Sequence, residues 1–127
     1  MDFAIKLSNV TKAFFDGRRT LLALKDIDLE IFPGEFFVFV GPSGCGKSTL
    51  LRIMSGLEKE YTGSVQYAKN IHKLDISFVF QHFALLPWMT VADNVGIGLI
   101  ARGMAEHEQR DTIQQNLLLL GLEKFAA

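Results

Sequence analysis

The order of apolar and polar positions predicts strands in the first two thirds of the chain. Residues 3–7 alternate between apolar and polar or small side chains, which is typical of a half-buried strand. Residues 36–40 and 76–80 are short, continuous apolar runs, as expected for strands that are buried on both faces. Residues 64–67 predict a further short strand.

The segment between the first strand and residue 36 predicts a hairpin. Asp16-Gly17 is a hairpin signal, and the following residues indicate a loop longer than two residues. Apolar residues between 22 and 31 predict the return strand, with Asp26 near a break in register. The first part of the chain is therefore predicted to be an antiparallel β unit leading into a buried strand at 36–40.

Three helices are expected after that strand. Residues 49–54 are helix formers, and Gly56 is a plausible C-cap. Thr90 has the capping-box spacing for a helix over 91–101, and a last helix is predicted over about 105–120. The predicted buried stripe of this last helix consists of Ile113, Leu117 and Leu120.

Composition limits the classes of protein to consider. The 127 residues are 49% hydrophobic, which suits one globular domain, and the formal net charge of −1 gives no electrostatic case for nucleic acid. No apolar run approaches the ~20 residues that span a bilayer, and the first residues do not have the pattern of a signal peptide. The single cysteine, Cys45, allows no internal disulfide. These features predict a cytoplasmic protein.

The strongest chemical signal lies between the buried strand at 36–40 and the helix at 49–54. It matches the phosphate-binding pattern Gly-x4-Gly-Lys-[Ser/Thr], and its residues are Gly41, Pro42, Ser43, Gly44, Cys45, Gly46, Lys47, Ser48 and Thr49. Glycines let such a loop curl so that backbone N–H groups and the helix N-terminus face phosphate oxygens. This pattern predicts a nucleotide site.

Three side chains of this loop have predicted roles. Lys47 is expected to reach the β- and γ-phosphates, and the Ser48 hydroxyl to ligate Mg²⁺. Cys45 has two interpretations: a small residue that fits a tight turn, or a thiol whose alkylation blocks nucleotide binding.

Beyond the loop, the chain resembles the ATP-binding subunits of ABC transporters over nearly its whole length. Four features carry the resemblance: residues 7–14, residues 33–35 before the loop, residues 50–57 after it, and Phe-Gln at 80–81 followed by 85–88 and 90–95. The implied fold is α/β, a P-loop NTPase of the ABC ATPase type. It would have an incomplete three-layer core, an N-terminal antiparallel β unit and a following helical segment.

The resemblance implies roles for residues outside the loop. Phe14 would stack on adenine, with Phe15 as its rival, and Gln81 would contact Mg²⁺ or the attacking water. The β unit and P-loop core would occupy about residues 1–81, and the glutamine loop and helical segment about 82–127. Leu-Leu-Pro-Trp at 85–88 has two interpretations: it resembles the same segment in importers of nitrate, sulfonate, taurine and related solutes, or it is an apolar loop that covers the core.

The resemblance also implies partners and a location. In the family, this subunit binds ATP and Mg²⁺, pairs with a second ATP-binding subunit and docks on a transmembrane permease. A solute-binding protein takes part indirectly. The expected location is the cytoplasmic face of the cell membrane, as a peripheral protein.

The sequence lacks several parts of the family's catalytic apparatus. It has no Gly-Gly pair for the signature, no Asp-Glu after an apolar strand for Walker B, and no switch histidine. The resemblance therefore covers the N-terminal half of the domain, and it leaves ATP hydrolysis by this chain uncertain. Apolar edges such as 36–40 are expected to lie open. The alternative function is a non-hydrolysing nucleotide-binding or regulatory module that associates with an intact ATPase or permease.

Overall fold

The structure, a computed structural model, describes residues 3–72, 75–82 and 84–126. They divide into two compact units, one that extends to Phe78 and one that begins at Val79. The first unit contains a sheet and one helix, and the second is helical.

The first unit is built on a three-stranded antiparallel sheet. Its strands are β1 (Ile5–Phe15), β2 (Thr20–Ile31) and β3 (Thr62–Tyr67), in the spatial order β2-β1-β3. The hairpin predicted at Asp16-Gly17 joins β1 to β2. The Asp16 carboxylate accepts hydrogen bonds from the backbone N–H groups of Arg19 and Arg18, and these bonds lower its pKa.

The pairing of β1 is irregular, as the sequence predicted near Asp26. Asp26 has a φ of 47°, and the β1–β2 register shifts between Leu7 and Val10 and again on either side of Lys12. The β1–β3 register shifts between Ser8 and Thr11. These bulges let the strand twist, and Val10 between them is completely buried.

Helix α1 (Lys47–Met54) covers this sheet and confirms the helix predicted after the phosphate-binding pattern. Its apolar face supplies Leu50, Ile53 and Met54 to a core that also contains Leu7, Val10 and Leu24 of the sheet. Gly56 follows its C-cap with a φ of 76°, a conformation that favours glycine. The Tyr67 hydroxyl donates to the Met54 carbonyl over 2.9 Å, and burial raises the pKa of Tyr67.

The two buried strands predicted at 36–40 and 76–80 are absent from the described sheet, and that prediction is wrong for this chain. Phe36 and Val40 are more than 90% exposed, as is Val79. A parallel strand forms only where neighbouring strands pair with its edges, and the described residues supply none for these segments. The expectation that residues 36–40 lie open is confirmed except at Phe39, which is half-buried against the core.

The second unit contains two helices and a short 3₁₀ turn at Glu123–Phe125. Helix α2 (Val91–Ala101) has the bounds predicted from sequence, and Thr90 and Asp93 form its capping box. Helix α3 (Glu106–Leu119) lies within the predicted 105–120.

The buried stripe predicted for α3 is only partly confirmed. Leu117 is buried and Ile113 is half-buried, but Leu120 is 65% exposed. Leu120 is the C-cap, so the helical spacing that placed it on the buried face stops there. Among the described residues, no helix combines the length and apolar character needed to cross a bilayer.

Candidate functional site

The phosphate-binding pattern folds as a turn that runs directly into α1. Gly44 and Gly46 have φ values of 79° and 94°, which L side chains rarely adopt. Gly46 is also the N-cap of α1, and a Cβ there would lie 2.6 Å from the Ala23 carbonyl oxygen and 2.9 Å from Leu24 Cδ2. Glycine at 46 therefore lets the start of the helix approach the backbone of β2.

The Lys47 side chain folds back over this turn. Its ammonium donates to the carbonyls of Gly41 and Pro42, each over 2.7 Å, and lies 3.3 Å from Cys45 Sγ. These bonds bring together residues at both ends of the turn. A phosphate anion is a stronger acceptor for an ammonium than a carbonyl, so the lysine can exchange these bonds for a bound phosphate.

The helix behind the turn is firmly anchored. Leu50 donates its N–H to the Gly46 carbonyl over 2.9 Å, the first hydrogen bond of α1, and Leu50 and Ile53 are buried in the core. Ser48 and Thr49 lie in the first turn, where backbone N–H groups lack partners within the helix. The turn thus combines donors without partners inside the helix, the positive end of that helix and the Lys47 ammonium.

The two candidate stacking residues lie at the end of β1 and point to opposite faces. Successive side chains alternate along a strand, so Phe14 shares a face with buried Lys12, and Phe15 lies on the other face. Phe14 is 40% exposed and Phe15 is 73% exposed. Leu24, which contacts the glycine at the start of α1, is the register partner of Lys12.

Gln81 belongs to the second unit. It is exposed and lies outside every helix and strand. The described residues contain no group of three or more His, Cys, Asp or Glu side chains that could hold a metal ion.

The apolar loop before α2 borders a partly open pocket of about 450 Å³. Its walls are mostly apolar, and Leu85, Leu86, Pro87, Met89, Val91, Asn94, Val95 and Leu122 line it. Trp88 is next to this pocket in sequence and is 77% exposed. The loop therefore presents an apolar surface with an exposed aromatic side chain.

Asn94, which sequence reasoning missed, organises this loop. Its side-chain oxygen accepts the Leu86 N–H over 2.8 Å, and its amide donates to the carbonyls of Leu86, Met89 and Thr90. The sequence signal for this role was the position of Asn94, one turn into α2. A side-chain amide at that position can form hydrogen bonds with backbone groups of the preceding loop.

We expect Asn94→Ala to lower the free energy of unfolding of the second unit by about 1–3 kcal/mol, because the Leu86 N–H and the Met89 carbonyl lose their hydrogen bonds to the Asn94 side chain. Trp88 is the only tryptophan, so chemical denaturation followed by its fluorescence reports on this loop. Exposed Asn70→Ala is the control and should change little. An Asn94→Ala protein that unfolds at the wild-type denaturant concentration would contradict this role.

The ABC transporter family model matches residues 24–127. The chain is 43% identical to the sn-glycerol-3-phosphate import ATP-binding protein UgpC of Yersinia enterocolitica, over 94% of this chain and 34% of that protein. It is 39% identical to the aliphatic sulfonates import ATP-binding protein SsuB of Bacillus subtilis, over 95% of this chain and 49% of that protein. The chain thus spans about a third to a half of the curated relatives it matches.

Comparison with solved structures points to the same family as the sequence matches. The dimeric post-hydrolysis structure of the ATP-binding cassette MJ0796, bound to ADP and Pi, superposes with a TM-score of 0.79 and 38% identity. The match covers 96% of this chain and 60% of that one. The fold is therefore that of a P-loop NTPase of the ABC type. From the phosphate-binding turn, the family match and this structural likeness, the chain belongs to the ABC transporter family and corresponds to part of its ATP-binding domain.

Proposed function

We propose that this chain binds ATP with Mg²⁺ as part of the energy-coupling subunit of an ABC importer. The observation that carries the proposal is the turn at 41–46, where the Lys47 ammonium lies within hydrogen-bonding distance of the Gly41 and Pro42 carbonyls at the N-terminus of α1. Isothermal titration with Mg-ATP tests it. A folded chain that gives no binding heat and no change in melting temperature would contradict it.

The turn supplies most of the proposed contacts with the triphosphate. Backbone N–H groups of residues 43–49 would surround the phosphates, and Lys47 would neutralise the charge on the β- and γ-phosphates. Ser48, exposed in the first turn of α1, has the hard oxygen donor that Mg²⁺ prefers. Gln81 keeps the role that the family resemblance implies, contact with Mg²⁺ or the attacking water. The ion would neutralise phosphate charge when bound.

Phe14 is the proposed platform for the adenine ring. It shares a face of β1 with residues that pack against α1, whereas Phe15 projects from the opposite face. A partly exposed ring on the side of the phosphate-binding helix can stack on a base whose phosphates occupy the turn.

The proposed partners are a transmembrane permease, a second ATP-binding subunit and, indirectly, a solute-binding protein. Importer names among the relatives and the dimeric structure of a cassette support this assignment. The apolar pocket and exposed Trp88 of the same loop offer the second unit a surface for a permease helix. These partners would hold the protein on the cytoplasmic face of the membrane.

We expect alkylation of Cys45 with N-ethylmaleimide to weaken Mg-ATP binding at least about tenfold, because the added group fills the turn beside Lys47. The thiol is exposed, and its Sγ lies close enough to Gly41 that a Cβ there would be only 2.9 Å away. Binding is measured by titration before and after complete modification. Cys45→Ser is the control, since it should bind ATP and be insensitive to the reagent; unchanged binding by alkylated wild type would contradict the prediction.

A further inference from the structure

Lys12 is the buried charged side chain among the described residues. It lies in β1 with only 4% of its side chain exposed, on the face that packs against α1. Sequence reasoning assigned it no role, and lysine side chains are rarely buried to this extent.

Two kinds of partner surround its ammonium. Glu58 Oε1 accepts a hydrogen bond over 3.2 Å, and Glu60 Oε2 lies 3.8 Å away. The ammonium also lies 4.6 Å from the centroid of the Phe14 ring, within the range of a cation–π interaction. Lys12 therefore connects the aromatic ring to the segment that follows α1.

Glu58 is itself held in place as an anion. Its carboxylate accepts the backbone N–H of Glu60 over 3.0 Å, and this bond, followed by the hydrogen bond from Lys12, lowers the pKa of Glu58. The Glu58 N–H donates to the Arg52 carbonyl near the end of α1. The ammonium thus has a fixed counter-ion tied to the phosphate-binding helix.

Stability alone does not explain a buried lysine at this position. Removing an ammonium from water is costly, and apolar side chains of similar volume often replace buried ion pairs without loss of stability. A methionine would fill the same space between β1 and α1. What the methionine could not supply is an electrostatic contact that restricts the orientation of the Phe14 ring.

We propose that Lys12 is a positioning residue that fixes the Phe14 ring for stacking on the nucleotide base. This inference rests on the proposed ATP binding and on Phe14 as the platform. A ring held in one orientation before binding loses less conformational entropy when the base stacks on it. Lys12 is paired in register with Leu24, which contacts the start of α1, so the ring is supported from the same side as the phosphate-binding turn.

The test compares Mg-ATP with inorganic Mg-tripolyphosphate, which has the phosphates but no base, by isothermal titration. Lys12→Met should weaken Mg-ATP binding about fivefold and leave tripolyphosphate binding unchanged. Phe14→Ala should likewise weaken Mg-ATP binding and leave tripolyphosphate binding unchanged. Lys12→Met in the Phe14→Ala background should cause no further loss, because the ring that it orients is gone.

Three variants make the comparison specific. Lys12→Arg should retain most of the ATP affinity, because a guanidinium also pairs with a carboxylate and stacks on an aromatic ring. Glu58→Gln removes the counter-ion and should weaken ATP binding without affecting tripolyphosphate. Lys6→Met, at a half-buried lysine of the same strand paired with Glu30, is the matched control and should bind both ligands normally.

The outcomes separate this inference from the proposed function. If Lys12→Met loses affinity for both ligands equally, or for neither, the positioning role is overturned, while the proposed ATP binding by wild type stands. If Lys12→Met does not fold, equal ligand losses in Glu58→Gln overturn it instead. If wild type binds neither ligand, or Lys47→Ala binds both normally, the proposed function fails, and the role of Lys12 fails with it.

Discussion

Replacing Lys47 with alanine should weaken Mg-ATP binding by at least about 100-fold. The variant removes the Lys47 ammonium from the phosphate-binding turn, and hydrogen bonds to charged groups contribute about 1.5–3 kcal/mol each. In the structure this ammonium bonds to the carbonyls of Gly41 and Pro42, so it already lies over the turn. Isothermal titration with Mg-ATP and with Mg-tripolyphosphate measures the loss, which should be equal for both ligands.

The control for Lys47→Ala is Lys69→Ala, at an exposed lysine in a turn after β3. It removes the same charge and should leave both affinities unchanged. Circular dichroism should show that both variants keep the wild-type fold, since Lys47 is anchored through exchangeable carbonyl bonds and lies outside the apolar core. If folded Lys47→Ala bound ATP with an affinity within about threefold of wild type, the phosphates would have to bind away from this turn.

Replacing Gly63 with alanine should lower the free energy of unfolding by about 3 kcal/mol or more. Gly63 has a φ of 88°, and a Cβ there would lie 2.3 Å from the Asn9 carbonyl oxygen and 2.6 Å from that of Ser8. This close approach of β3 to β1 occurs where the register of the two strands shifts, next to fully buried Val10. A side chain at 63 must therefore separate the strands or displace the bulge.

Gly17→Ala is the matched control for this experiment. Gly17 also has a φ of 88°, but nothing lies within 4 Å of a Cβ at that position. The control therefore has the same conformational strain, about 1 kcal/mol, without the clash. Thermal and urea denaturation followed by circular dichroism compare the two variants. Equal destabilisation by the two substitutions would show that backbone strain alone matters at Gly63.

The features that the sequence predicted correctly depend on short stretches of chain. The turn at 41–46 followed by α1, the hairpin at Asp16-Gly17 and the capping box at Thr90 are each specified by residues within a few positions of one another. Turn and cap chemistry act over such distances, so local sequence is sufficient to place them. The family resemblance extended these local signals to almost the whole chain, and the family match confirmed it.

The apolar runs at 36–40 and 76–80 show where local pattern was insufficient. Their composition is that of buried strands, but a strand also requires neighbours that are distant in sequence. The described residues provide no such neighbours, and Phe36, Val40 and Val79 are exposed. Hydrophobic pattern therefore indicated which segments favour burial, while the available partners decided whether burial occurs.

By itself, the sequence determined the phosphate-binding turn, its helix, the hairpin and the α2 cap, because each depends on bonds between residues close together in the chain. Only the tertiary structure showed that Lys12 contacts both Phe14 and Glu58, that the Asn94 side chain bonds to the loop backbone at Leu86, and that Gly63 lies against the Asn9 carbonyl. These contacts join residues whose meeting depends on strand register and helix packing. Long-range geometry of this kind has no signature in the local order of apolar and polar residues.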